Sequence, residues 1–146
     1  MWTTQSSATT TASPQAVWDA LAALHSGTRL GPNSDDFELH GPFAVGTEVT
    51  VTPQGQEPMR SRIVELEPGR VYADQTVFGD LTLTFRHVIE QDASGETSVT
   101  HSLEISGQGA DLVGPELGPQ ISGDFPEAMA ELFAAAASSY SEGATS

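Results

Sequence analysis

Two histidines on neighbouring β-periodic segments, His87 and His101, are the residues best placed to do chemistry in this chain. Within 80–90, Leu81, Leu83, Phe85, His87 and Ile89 share one face of a strand. Within 97–106, Val99, His101, Leu103 and Ile105 do the same. Both apolar faces must turn to one core. A three-residue Ala93-Ser94-Gly95 loop that pairs 92 with 96 then sets 89 opposite 99, 87 opposite 101 and 85 opposite 103. The imidazoles become direct cross-strand neighbours, with Cβ atoms ~5 Å apart on an apolar surface. One neutral imidazole can take a proton from a carbon acid while the other donates to an enolate or a departing hydroxyl. That is the proton traffic of an aldol cyclisation or a dehydration. The same pair also fits a plainer role, as hydrogen-bonded structural histidines near the open end of a sheet or as passive ligand lining. No third ligand is placed beside them, so neither a metal nor another cofactor is expected.

The elements that must position this pair are legible from period and punctuation. Residues 3–11 are rich in threonine and read as a first or edge strand. Ser13-Pro14 starts a helix, with serine as cap and proline where its missing N–H costs nothing. Val17, Trp18, Leu21 and Leu24 carry that helix to residue 24, and His25 at its end suits the negative pole of the helix. From residue 35 the period is two, giving strands at 36–40, 46–52, 59–67, 70–77, 80–90 and 97–106, separated by glycine- and proline-bearing turns. Ile121, Phe125, Met129, Leu132, Phe133 and Ala136 form a final helical stripe. Pro126 is either a first-turn proline capped by Asp124 or a kink in a helix that begins near Asp111. The expected fold class is α+β: a curved antiparallel sheet of six or seven strands under a long C-terminal helix. One domain is expected over 1–138, with a flexible tail at 139–146.

Composition removes whole classes of function. Twenty acidic residues face five arginines and no lysine, a net charge of −15. Such a surface repels phosphate backbones and anionic lipid alike, so no nucleic-acid or membrane partner is expected. The absence of cysteine excludes disulfides, thiolate catalysis and sulfur-ligated metals. Residues 1–12 lack the positive and apolar regions of a secretory signal, and no run of 18 apolar residues is present. A cytoplasmic protein, monomeric or homodimeric, is the expectation.

Several segments, taken in order, resemble the SRPBCC superfamily, also called START-like or helix-grip, and within it the polyketide cyclase/dehydrase group. They are ASPQAVWDALAAL at 12–24, LHGPFAVGTEVTV at 39–51, SRIVELEPGRVY at 61–72, and GETSVTHSLEISG at 95–107 followed by LGPQISGDFPEAMAEL at 117–132. The resemblance covers nearly the whole chain and implies a cavity between the sheet and the C-terminal helix. Its members cyclise polyketides, carry lipids or hormones, or assist a chaperone, so it implies no single reaction. An enzyme of cyclase/dehydrase type, a non-catalytic carrier and a chaperone-type adaptor all stay open.

Given such a cavity, Leu83, Phe85 and Leu103 would form its wall around the histidine pair. Phe125, Met129 and Phe133, first of all core, would form its apolar lid. Arg60 and Arg62 share parity with Val64 and Leu66, so Arg62 is expected at the mouth, holding a carboxylate or enolate, unless both are exposed strand-end arginines. Tyr72 would donate its phenol to a bound carbonyl or pack at an edge. Arg86 on the outer face reads as the partner of Glu104, His40 faces solvent, and the scattered acids form a solvated face. The ligand expected is small, hydrophobic or aromatic, and neutral or weakly acidic.

Overall fold

A computed structural model of the chain describes residues 1–31, 35–53 and 55–145, with side chains as far as Ala137. The first element is β1 (Trp2–Thr10), followed by α1 (Pro14–His25). The Ser13 hydroxyl accepts the backbone N–H of Ala16 at 3.1 Å, and Pro14 occupies the first turn. Loss of that cap in Ser13→Ala is expected to cost about 1 kcal/mol, read as a lower urea midpoint at unchanged slope.

Six strands come next: β2 (Asp36–Leu39), β3 (Glu48–Thr52), β4 (Met59–Glu67), β5 (Val71–Phe78), β6 (Leu81–Gln91) and β7 (Thr97–Gly107). The seven strands of the described residues make one antiparallel sheet in the order β1-β7-β6-β5-β4-β3-β2. The meander brings β1 back beside β7, so α1 crosses to the same face that α2 (Ala110–Ser122) and α3 (Phe125–Thr145) cover. This is the helix-grip arrangement that the resemblance implies. The break between the last two helices falls at Gly123-Asp124, and Pro126 lies in the first turn of α3. Helical backbone then runs on to Thr145, into the segment where composition suggests a tail; the alanines at 134–137 favour that continuation.

The β6–β7 register is the one that sets 89 opposite 99, 87 opposite 101 and 85 opposite 103. The Asp92 N–H bonds to the Glu96 carbonyl at 2.8 Å, and Gly95 takes the positive φ of 89° that the three-residue loop needs. The Asp92 carboxylate accepts from the Ser94 and Glu96 amides, which fixes the turn.

Burial divides into two apolar clusters. The larger joins Val17, Trp18 and Leu21 of α1 to Ile63, Tyr72, Ile89 and Val99 of the sheet and to Met129, Leu132 and Ala136 of α3. The smaller joins Leu83, Leu103 and Ile105 to Ala110 and Phe125, with Trp2 packed against it. Each large side chain removed from water in this way stabilises by about 1.5–3 kcal/mol. Trp2 lies along the Gly114 and Gly118 face of α2 so closely that a Cβ at Gly118 would stand 2.1 Å from its ring. No helix among the described residues is long and apolar enough to cross a membrane.

Candidate functional site

Three inward positions on adjacent strands form one row: Tyr72, His87 and His101 are Cα partners across β5, β6 and β7. The imidazoles stack with centroids 3.9 Å apart and planes at 21°. His101 lies on the other side against Phe125, at 3.7 Å and 17°, so the α3 phenylalanine caps the pair. The next row carries Asp74 opposite Phe85, and beyond it Thr76 stands opposite Leu83 and Ser61. Tyr72 donates its phenol to Asp74 Oδ2 at 2.8 Å.

A cavity of about 480 Å³ opens above these rows, between the sheet, the end of α1 and the two C-terminal helices. Leu83, Phe85, His87, His101, Phe125 and Met129 all line it. Four other residues expected there do not. Leu103 is wholly buried beneath the wall, in the smaller cluster. Phe133 packs against the larger cluster, next in sequence to the lining residue Leu132 and one helical turn beyond Met129. Tyr72 is buried with its phenol committed to Asp74, so it is not free to meet a carbonyl.

Arg62 is the clearest correction. It points out of the sheet, exposed, and with Arg60 holds Glu48. The cause is a bulge in β4 between Ile63 and Glu65. Ile63 and Leu66 both turn inward although three residues apart, so counting by twos back from Leu66 assigns the arginines to the wrong face. With Arg62 outside, a weakly acidic ligand loses the cation expected to meet it. Arg86 likewise pairs with Glu65 at 2.9 Å rather than with Glu104. Ala73 lies between these two residues in the register, and the ion pair arches over its small side chain.

Two residues of the site escape the sequence reading. His25 is more than a residue that suits the helix-end dipole. It is buried, with ring centroids 4.0 Å from Tyr72, 4.6 Å from Phe37 and 5.9 Å from His87. Its Nδ1 bonds to the Leu21 carbonyl at 2.9 Å and therefore carries the proton. Val17, Leu21 and His25 at successive fourth positions are the available signal. The second is Asp74, only 4% exposed, on the cavity floor.

The electrostatics follow from burial. Desolvation holds His25 down to about 4, against the opposing pull of the Leu21 carbonyl. It holds His101 down to about 3, and His87 well below its usual range with added repulsion from His101 and His25. Burial pushes Asp74 up to about 6, partly offset by the Tyr72 hydrogen bond. At neutral pH the three imidazoles are uncharged and the carboxyl is mostly ionised. Nδ1 of His87 and of His101 is buried without a hydrogen-bond partner among the described residues. Among the described residues no group fixes which ring nitrogen holds the proton, so each imidazole can meet a bound molecule as donor or as acceptor. Among the described residues no cluster of three or more His, Asp or Glu could hold a metal ion.

The sequence profile described as "Polyketide cyclase / dehydrase and lipid transport" matches residues 1–138. No curated protein sequence matches the chain. Among solved structures, a point mutant of Thalictrum flavum norcoclaurine synthase bound to a transition-state analogue superposes with a TM-score of 0.74 at 14% identity, covering 95% of this chain and 96% of that one. Ara h 8.0201 gives 0.71 at 17% identity, over 94% and 98%. A Thermus thermophilus protein gives 0.70 at 11% identity, over 94% and 99%. At these identities the likeness is one of fold.

Proposed function

Because the chain belongs to the polyketide cyclase / dehydrase and lipid transport family, we propose that its cavity binds a small hydrophobic or aromatic molecule, with His87 and His101 meeting the polar group of that molecule. The observation that carries this reading is the stacked, uncharged imidazole pair on the wall of a cavity of about 480 Å³. That volume suits a compact organic ligand. Apolar lining from Leu83, Phe85, Phe125 and Met129 supplies affinity, and the imidazoles supply orientation. An adaptor working through its outer surface needs no such opening, so the cavity favours a ligand over a purely protein-binding role.

A second reading adds chemistry to binding, and the unfixed tautomers favour it. One imidazole would take a proton from the carbon beside a ligand carbonyl and become imidazolium, while the neighbouring neutral ring donates a hydrogen bond to the enolate oxygen. The enolate would attack a second carbonyl to form a carbon–carbon bond, and the imidazolium would return its proton to the new alkoxide, leaving both rings neutral. In a dehydration the imidazolium would instead protonate the departing hydroxyl, which leaves as water. Burial weakens both imidazoles as bases, so a carbon acid must be acidified by its own carbonyls for this route to run.

Native mass spectrometry of the protein purified from its own host is expected to show a bound molecule of a few hundred daltons. The double variant His87→Ala/His101→Ala is expected to retain the fold, hold that molecule at least tenfold more weakly and abolish any conversion of it. Unchanged conversion in the double variant would sink the catalytic reading, and unchanged retention would sink the role of the imidazoles in binding.

A further inference from the structure

The sheet floor holds a carboxylate that no protein cation among the described residues neutralises. Asp74 is 4% exposed and lines the cavity, and among the described residues its Oδ2 accepts only the Tyr72 phenol. Its Oδ1 receives no hydrogen bond from any described residue. The chain has five arginines and no lysine, and none of the arginines lines the cavity. Arg29 pairs with Asp36, Arg60 and Arg62 with Glu48, and Arg86 with Glu65, while Arg70 is exposed. The three nearby imidazoles are uncharged at neutral pH, so they do not offset the charge either. A buried carboxylate without a counter-ion is costly unless the site acquires one.

We propose that the cavity selects a compact apolar or aromatic molecule carrying one protonated amine or comparable cationic nitrogen, for which Asp74 is the counter-ion. The free Oδ1 accepts the N–H of the ligand. Phe85, Cα partner of Asp74 across the sheet, and Phe125, which meets Phe85 edge to face at 6.4 Å, present ring surfaces that attract a cation. Asp35, Asp124 and Glu131 also belong to the lining, so the path inward carries negative charge and the −15 surface gathers cations at the approach. The imidazole pair, lying one row away on the same face, is left to meet a second polar group of the ligand. The inference rests on the ligand-binding reading above and adds the charge of what is bound.

Three fluorescent probes of matched shape test it at pH 7.5 and about 0.15 M salt, where attraction by distant surface charge is screened: 2-(1-naphthyl)ethylamine, 2-(1-naphthyl)ethanol and 1-naphthylacetate. The amine is expected to bind at least tenfold more tightly than the alcohol, and the acetate more weakly than either. Asp74→Asn, isosteric and checked for fold by circular dichroism, is expected to bring the amine and alcohol within twofold of each other. Tyr72→Phe, which frees the second carboxylate oxygen, is expected to keep or enlarge the preference for the amine. Equal affinities for amine and alcohol in the unaltered protein overturn the inference, as does a preference that survives in Asp74→Asn. Binding of the neutral dye Nile red with no binding of any naphthyl probe overturns this inference while leaving a ligand-holding cavity. Failure of Nile red and all three probes overturns both.

Discussion

Between pH 6.5 and pH 5 the folded protein is expected to lose stability steeply, by on the order of 3 kcal/mol per pH unit near pH 5. The cause is the three buried imidazoles. In the unfolded chain each takes a proton near 6.5, whereas folding holds His25 at about 4, His101 at about 3 and His87 well below the usual range. A depressed imidazole therefore contributes stability above 6.5 that is lost as the pH falls. Asp74 acts in the opposite sense, because its folded value of about 6 lies above the unfolded 3.8. The penalty it carries above pH 6 is relieved as the pH drops. Three imidazole protons against one carboxyl proton leave about two more protons on the unfolded chain. Urea unfolding at pH 7.5, 6.0 and 5.0 measures the slope directly. His101→Phe is expected to reduce it by about one proton, and Asp74→Asn to raise it by about one. A flat profile over this range would show that the imidazoles are not held neutral.

The second large effect is expected at α2. Gly118→Val places side-chain atoms where the Trp2 ring already lies, since even a Cβ would come within 2.1 Å of Cζ3 and 2.2 Å of Cη2. At Gly114 the obstacle is closer to the backbone, with Trp2 Cβ at 2.4 Å and Cγ at 2.5 Å. Either α2 lifts from β1 or the indole leaves its site, a cost of about 1–3 kcal/mol at each position. Leu117, Gln120 and Ile121 of the same helix line the cavity, so ligand affinity is expected to fall together with stability. Trp2→Ala in the Gly118→Val background is expected to recover part of the loss, because the clash and not the valine is the cause. A double-mutant cycle over these variants gives the coupling, and a coupling near zero would contradict the packing argument.

The β6–β7 hairpin shows why much of this fold is readable before the structure. Its loop length fixes the register, and alternation fixes the face, so the pairing of His87 with His101 follows from local rules alone. The order of β2 to β7 follows similarly from turn spacing, and the covering helix from one apolar stripe, whereas the pairing of β1 with β7 spans most of the chain and no local signal gives it. Alternation fails where something non-local intervenes. In β4 a bulge changes the parity between Ile63 and Glu65, which moves Arg62 from mouth to solvent. In β5 both faces are buried, because the Arg86–Glu65 pair covers Ala73 from outside while Asp74 lies within, so no polar–apolar rhythm marks the inner face. His25 reads as a helix-end cation because that is what a terminal histidine is on an isolated helix. Only the packing of α1 over Tyr72 turns it into a buried, neutral neighbour of the site.

The two apolar clusters meet the cavity from opposite sides: Leu21, Met129 and Leu132 belong to one, and Leu83 and Phe125 to the other. Each cluster carries one of the chain's two tryptophans. Trp18 sits in the first with Phe43 at 6.2 Å, and Trp2 sits in the second against α2. The molecule thus has a built-in pair of optical reporters, one on either flank of the space where a ligand would lie. Loosening of α2 is felt by one indole and loosening of α1 by the other, so changes in their emission distinguish which wall of the cavity has moved.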